Sequence, residues 1–141
     1  MKLGDITDIA VSGLVAQRAR MAATASNVAN AQTTRTESGG VYRRRDPVFR
    51  TEPVGGPFAG KLERALHRVE VERVVLDARA PITRFEPGHP DADADGYVAL
   101  PRVNVVEELS NMMSASRSYE SNLIILRKVR EMAEAAMQIG R

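Results

Sequence analysis

Along the C-terminal end of the chain, apolar residues recur in steps of four and three: Val105, Leu109, Met112, Tyr119, Leu123, Leu126, Ala133 and Met137. Ser116 and Arg130 fill the two remaining positions of the repeat. Such steps, sustained over about five heptads with neither Gly nor Pro between them, predict a helix from about Val105 to Ile139 made to lie against another helix. A second stripe at the same spacing, Ile125, Val129, Met132, Ala136 and Ile139, opens partway along. One stripe requires one neighbour, and two stripes require more than one. Asn104 is placed to cap the start, with Glu107 and Glu108 in the first turn near the positive end of the helix dipole.

The N-terminal end predicts a second helix, from about Asp5 to Ala29, with Asp5 or Thr7 as its cap. Ile6, Ala10, Leu14, Met21, Ala25 and Val28 form its stripe, weakened in the middle by Gln17 and Arg18. Gly13, Ala16, Ala19, Ala22, Ala23 and Ala29 surround that stripe. Small residues let another helix approach closely but bury little area, so this helix is too lean to cover both seams of the other. It ends in the polar run Ser26 to Thr34, where Asn27 and Asn30 tolerate the left-handed conformation that closes many helices and offer amides to nearby backbone groups.

Between the helices the periodicity changes. Gly39-Gly40 reads as a turn, and Pro53 with Gly55-Gly56-Pro57 as a break. The stretch from Leu66 to Leu76 contains a strand-like alternation, and Ile82 to Phe85 a further short strand, while Leu62 to Ala65 suits a helical turn. Phe49, Leu66, Val69, Val71, Val75, Ile82 and Phe85 are the expected core of this segment. The expected fold class is α+β: long N- and C-terminal α-helices packed as a coiled-coil pair, with a small β-rich middle segment. Its three parts are residues 1–34, 35–102 and 103–141.

Composition narrows the chemistry. Apolar residues make up 43% of the chain, but much of that is Ala and aromatics reach only 4%, so any globular core is thin. A formal charge of +2, with both signs interspersed, permits nucleic-acid contact without arguing for it. With no Cys there is no disulfide, thiol nucleophile or thiolate metal site. No run approaches the roughly 18 apolar residues of a membrane span. Asp5 and Asp8 stand where a secretory signal needs its apolar region, so export with a cleaved signal is not expected.

Two local patterns suggest binding. Asp91-x-Asp93-x-Asp95-Gly96 matches the first half of a calcium-binding EF-hand loop. Its twelfth position is Arg102 rather than a carboxylate, and Pro87, Gly88 and Pro90 oppose an entering helix, so an Asp-rich turn capping its own backbone is the favoured reading. Arg43-Arg44-Arg45, with Tyr42 and Phe49 nearby, has the look of a nucleic-acid patch, but Glu37 and Asp46 dilute it and a strand with solvated or interface-facing arginines accounts for it better. His67 and His89 lack spaced metal partners, and Ser114, Ser116 and Ser118 sit on a helix with no His nearby, so no catalytic, cofactor or metal residue is expected. Tyr119 reads equally as a core aromatic and as a contact fixing register between subunits.

Taken together, Ser12-Gly13-Leu14-x-Ala16-Gln17-x-x-x-Met21 and Asn27-Val28-Ala29-Asn30-Ala31-x-Thr33-Thr34 resemble the segment shared by flagellar rod, hook and junction proteins. Three further pieces resemble the C type of the basal-body rod proteins: Thr33-Thr34-Arg35-Thr36 with Gly39-Gly40-x-Tyr42-Arg43-Arg44; His89-Pro90-Asp91-Ala92-x-x-x-Gly96-Tyr97-Val98; and Pro101-x-Val103-Asn104-Val105-Val106-Glu107-Glu108 with Arg117-x-Tyr119-Glu120. Val41 and Arg102 depart from that pattern, where the family tends to have Pro and Asn, and the segment from Pro53 to Arg84 carries none of it.

The resemblance implies a non-enzymatic structural subunit of the proximal rod, the drive shaft of the flagellar basal body in the periplasmic space. It implies export by the flagellar type III apparatus and packing, with copies of itself and other rod proteins, into a helical tube, with no nucleic acid and no membrane embedding. A calcium- or nucleic-acid-binding coiled-coil module is the alternative. The expected assembly interface comprises Leu14, Met21, Asn27 and Asn30 on the first helix. On the second it comprises Leu109, Met112, Tyr119, Leu123, Ile125, Val129, Met132 and Ile139.

Overall fold

The computed structural model describes residues 3–37, 39–54 and 65–139. Among the described residues two helices, α1 (Leu3–Ala29) and α2 (Val105–Ile139), flank four strands: β1 (Arg45–Pro53), β2 (His67–Leu76), β3 (Ile82–Phe85) and β4 (Tyr97–Leu100). Asn104 caps α2 as expected, its Oδ1 accepting the backbone N–H groups of Val106 and Glu107 at 3.1 and 3.4 Å. At the end of α1, no described residue other than glycine adopts positive φ. The helix is closed instead by the Asn30 side chain, whose Nδ2 donates to the Ser26 carbonyl at 2.9 Å. The same carbonyl accepts the backbone N–H of Asn30 at 3.1 Å, so the side-chain amide adds a second bond at the helix end.

The helices run antiparallel. Asn27 meets Glu108, Arg20 donates to Asn111, and Gly13 lies against Asn122, so contacts descend α1 as they ascend α2. The inward seam of α2 is Glu108, Met112, Ala115, Tyr119, Asn122, Leu126, Val129 and Ala133, all buried or half-buried and spaced four and three. It shares Met112, Tyr119, Leu126 and Ala133 with the apolar repeat, but its other members lie one residue earlier, at 108, 115, 122 and 129. The reason is volume. Ala10 and Ala16 of α1 are buried, and an added Cβ at Gly13 would stand 2.7 Å from Asn122 Nδ2, so this face of α1 comes close enough to favour small partners such as Ala115. Ala25, expected on the α1 stripe, is exposed, and buried Thr24 and Asn27 take the inward side. Gln17 also turns inward, its Oε1 buried without a partner among the described residues.

The middle segment forms two separate antiparallel ribbons, β1 with β2 and β3 with β4. The first lies along α1. Arg45 at its start bonds Asn27, and Val69, two positions inside its far end, donates to Ser12 Oγ at 3.0 Å. The fifteen helical steps from Ser12 to Asn27 rise about 22 Å, and the six strand steps from Arg45 to Thr51, the partner of Val69, about 20 Å, so ribbon and helix keep pace. A bulge where Val48 and Phe49 face Arg73 and Val71 leaves Glu72 as the extra residue on β2. The expected β core is not formed as such: Phe49, Val75, Ile82 and Phe85 are exposed, and only Leu66, Val69 and Val71 are half-buried. A two-stranded ribbon has two faces, and only the one turned towards α1 finds cover. The proposed helical turn from Leu62 falls, for Leu62 to Arg64, outside the described residues.

In the second ribbon, Phe85 and Tyr97 pair across the strands with ring centroids 5.3 Å apart, edge to face. The connecting loop closes through Asp93, whose Oδ1 accepts the backbone N–H groups of Asp95 and Tyr97 at 3.0 and 2.8 Å. The acidic motif is therefore an Asp-capped turn. Gly96 completes it with φ of 81°, and a Cβ there would stand 3.0 Å from the Phe85 ring and 3.1 Å from Pro87 Cβ. Gly96→Ala combines that crowding with left-handed strain and is expected to lower stability by about 1–3 kcal/mol in urea unfolding.

Candidate assembly interface

Where the three parts of the chain meet, the core is polar. Asn27, 1% exposed, uses its whole hydrogen-bonding capacity there. Its Nδ2 donates to the Arg45 carbonyl at 2.8 Å and to Glu108 Oε2 at 2.9 Å. Its Oδ1 accepts the Tyr42 hydroxyl at 2.9 Å and the Arg45 N–H at 2.8 Å. Because a carboxylate only accepts, the amide has one permitted orientation. Asp in its place would set an oxygen against Glu108, and Leu would strand four partner groups. Tyr42, itself buried, also accepts from Ser26 Oγ at 3.1 Å.

Glu108, likewise 1% exposed, binds Arg44 Nε through Oε1 at 2.7 Å. Arg44 extends the chain of charges to Asp46 at 3.0 Å. Burial disfavours the Arg44 charge, but hydrogen bonds to Glu108 and Asp46 prevail and raise its pKa above the ordinary arginine value. The Arg45 guanidinium lies 5.8 Å from the centroid of the Tyr42 ring. Two arginines of the basic run are thereby committed to an intramolecular joint between the end of α1, the start of β1 and the first turn of α2.

That joint and the seam behind it decide which apolar residues stay outside. Leu109, Ile125 and Met132 are exposed, Ile125 by 46%. Leu14, Met21, Met112, Tyr119 and Leu123 are half-buried, and Asn30 is half-buried in its cap. Asn27 and Val129 lie inside. Val129, expected on the outward stripe, is 5% exposed because it stands two heptads beyond Ala115 on the inward seam. The Ile139 side chain lies outside the described ones. Val106, Met113, Ile124 and Met137 add to the exposed apolar set. Isolated exposed apolar residues are ordinary; here they fall on both flanks of the inward seam, Leu109 one residue after Glu108 on one side, Ile125 and Met132 on the other.

The sequence does not reveal this joint. Tyr42 and Arg44 read there as parts of a strand and Glu108 as part of a helix start, and only the polar run at Asn27 and a Glu in a first turn hint that both helix ends converge. No helix among the described residues is long and apolar enough to cross a membrane.

Known proteins place this arrangement. Residues 8–35 match the family described as "Flagella basal body rod protein", and residues 94–139 the one described as "Flagellar basal body rod FlgEFG protein C-terminal". The two matches fall largely on α1 and on β4 with α2. The flagellar basal-body rod protein FlgC of Salmonella typhimurium (strain LT2) is 40% identical over 141 residues, spanning 99% of each chain. That of Borreliella burgdorferi is 36% identical over 149 residues, spanning 99% of this chain and 98% of its own. The FlgC of Bacillus subtilis is 30% identical over 145 residues, spanning 95% of each. With both terminal helices matched and identity sustained along nearly the whole length, the chain belongs to the flagellar basal-body rod protein family, in its FlgC type.

Proposed function

We propose that this chain is a structural subunit of the proximal rod of the flagellar basal body. Its terminal segments, residues 1–34 and 103–141, are the polymerising parts, and residues 35–102 form the middle segment between them. The observation that carries this is the pair of uncovered flanks of α2: α1 covers one seam and leaves Leu109 exposed on one side of it and Ile125 and Met132 on the other. A heterologous contact that does not close on itself generates a helical array. Copies of the chain and other rod proteins supply that contact, and the resulting tube transmits torque in the periplasmic space. Delivery is by the flagellar type III export apparatus, without a cleaved signal.

The binding-module alternative has no support, since Asp93 spends one carboxylate oxygen on its own turn and Arg44 spends its charge on Glu108. The relatives are rod proteins rather than enzymes. Basal bodies purified from cells expressing only a tagged copy of this chain are expected to carry it in the rod. Complete rods in cells lacking the chain altogether would overturn the proposal.

A further inference from the structure

At one end of the β3–β4 ribbon lies a cavity of about 160 Å³ lined by Arg43, Arg44, Arg79 and Arg102 together with Asp77. Four cations thus surround one carboxylate. Asp77 is spent on Arg79, which grips it through Nε at 2.9 Å and Nη2 at 2.6 Å and holds its carboxyl down at about 2. Arg44 is spent on Glu108 and Asp46. Arg43 and Arg102 are exposed and have no hydrogen-bonded or ionic partner among the described residues.

The other end of the same ribbon carries the opposite charge. The register places Ile82 and Leu100 at the arginine end and Phe85 and Tyr97 at the acidic turn, with about 10 Å of strand between them. In that turn Asp95 is exposed, and its carboxylate has no partner among the described residues. Asp93 presents its second carboxylate oxygen beside it, the first being used on the backbone. Ile82, Phe85 and Tyr97 are exposed along the ribbon between the two charged ends. A single molecule cannot join them, because a short ribbon does not fold back on itself.

We propose that the acidic turn of one copy, through Asp95, docks into the arginine-lined cavity of the next copy, through Arg102 and Arg43. The contact is head to tail and so propagates along a row of subunits instead of closing a dimer. It specifies order and register more than raw affinity, as charge complementarity at an interface rim does. Asp93 and Asp95 stand at unspecified positions of the His89–Val98 motif and Arg102 at a departure, with Val41, the other departure, also lining the cavity, whereas Arg43 belongs to the motif itself. The inference rests on the rod reading and adds to it a particular contact between copies.

The absence of native Cys makes the test direct. Ala94→Cys, beside Asp95, and Pro81→Cys, in the cavity lining, are combined in one full-length chain that keeps Asp95, Arg43 and Arg102, and basal bodies assembled from it are treated with a short bismaleimide. A ladder of covalent multimers of this chain is expected, with neither single-Cys variant giving more than background. In parallel, Arg102→Glu and Asp95→Arg are each expected to reduce rod number by more than about tenfold, and their combination to restore it, since like charges at a contact cost several kcal/mol. Intact rods containing the double-Cys chain but yielding no ladder would overturn the contact while leaving the rod reading in place. So would adducts joining this chain to a different rod protein. Absence of the unsubstituted chain from basal bodies would instead remove the rod reading, and the contact with it.

Discussion

Glu108→Ala is expected to lower stability by about 3 kcal/mol, a large share of the roughly 5–15 kcal/mol that holds a small protein folded. The substitution strands a buried Asn27 donor and leaves Arg44 with Asp46 alone. Removing one partner of a buried pair costs about 3–5 kcal/mol, and the lower end applies because the Arg44 side chain keeps 21% of its surface in water. Glu108→Gln retains one acceptor but loses the charge, and is expected to cost about half as much. Urea unfolding checks both. A double-mutant cycle with Asn27→Ala should show coupling of about 0.5–3 kcal/mol, because the two residues share one network. A loss below about 1 kcal/mol for Glu108→Ala would mean that the helix ends are not held by this joint.

Ile125→Asp is expected to abolish rod assembly while changing the stability of the free chain by less than about 0.5 kcal/mol. Ile125 is half in water in the single subunit, so a carboxylate there is tolerated until a neighbour covers it. Burial against that neighbour would then desolvate an unpaired charge, at a cost of several kcal/mol. Export should continue, with the variant appearing outside the cell or in the periplasm and no rod visible in purified basal bodies. Leu123→Asp serves less well, because Leu123 is half-buried in its own chain. Val129→Asp is the contrasting control: at 5% exposure it should unfold the helix pair before assembly is reached. Rods built normally from the Ile125→Asp chain would remove this residue from the interface.

The two substitutions separate what the apolar repeat alone could not. Leu109 and Val129 carry equal weight in a hydrophobic pattern, yet Val129 is inside and Leu109 outside. The difference arises from Ala10, Gly13 and Ala16, whose small size sets how close α1 comes and therefore which edge of the repeat it covers. A stripe records which residues are apolar. It does not record the rotation of the helix against a neighbour of given bulk.

Elements whose causes are local can be read directly from the residues. The span of α2 followed from unbroken periodicity, its start from Asn104, the span of α1 from its alanine-rich run, and the turn at Gly96 from the Asp-x-Asp-Gly chemistry. The family followed from motifs that are themselves contiguous. Tertiary structure decided everything that requires two distant residues to meet. It decided that Asn27 finds Glu108 across 81 positions, that Arg44 belongs to the joint and not to a basic patch, and that the middle segment makes two ribbons with exposed faces. Hydrogen-bond capacity is written in a residue type, but which partner satisfies it depends on close packing in three dimensions, where small residues on one helix fix the rotation of the other.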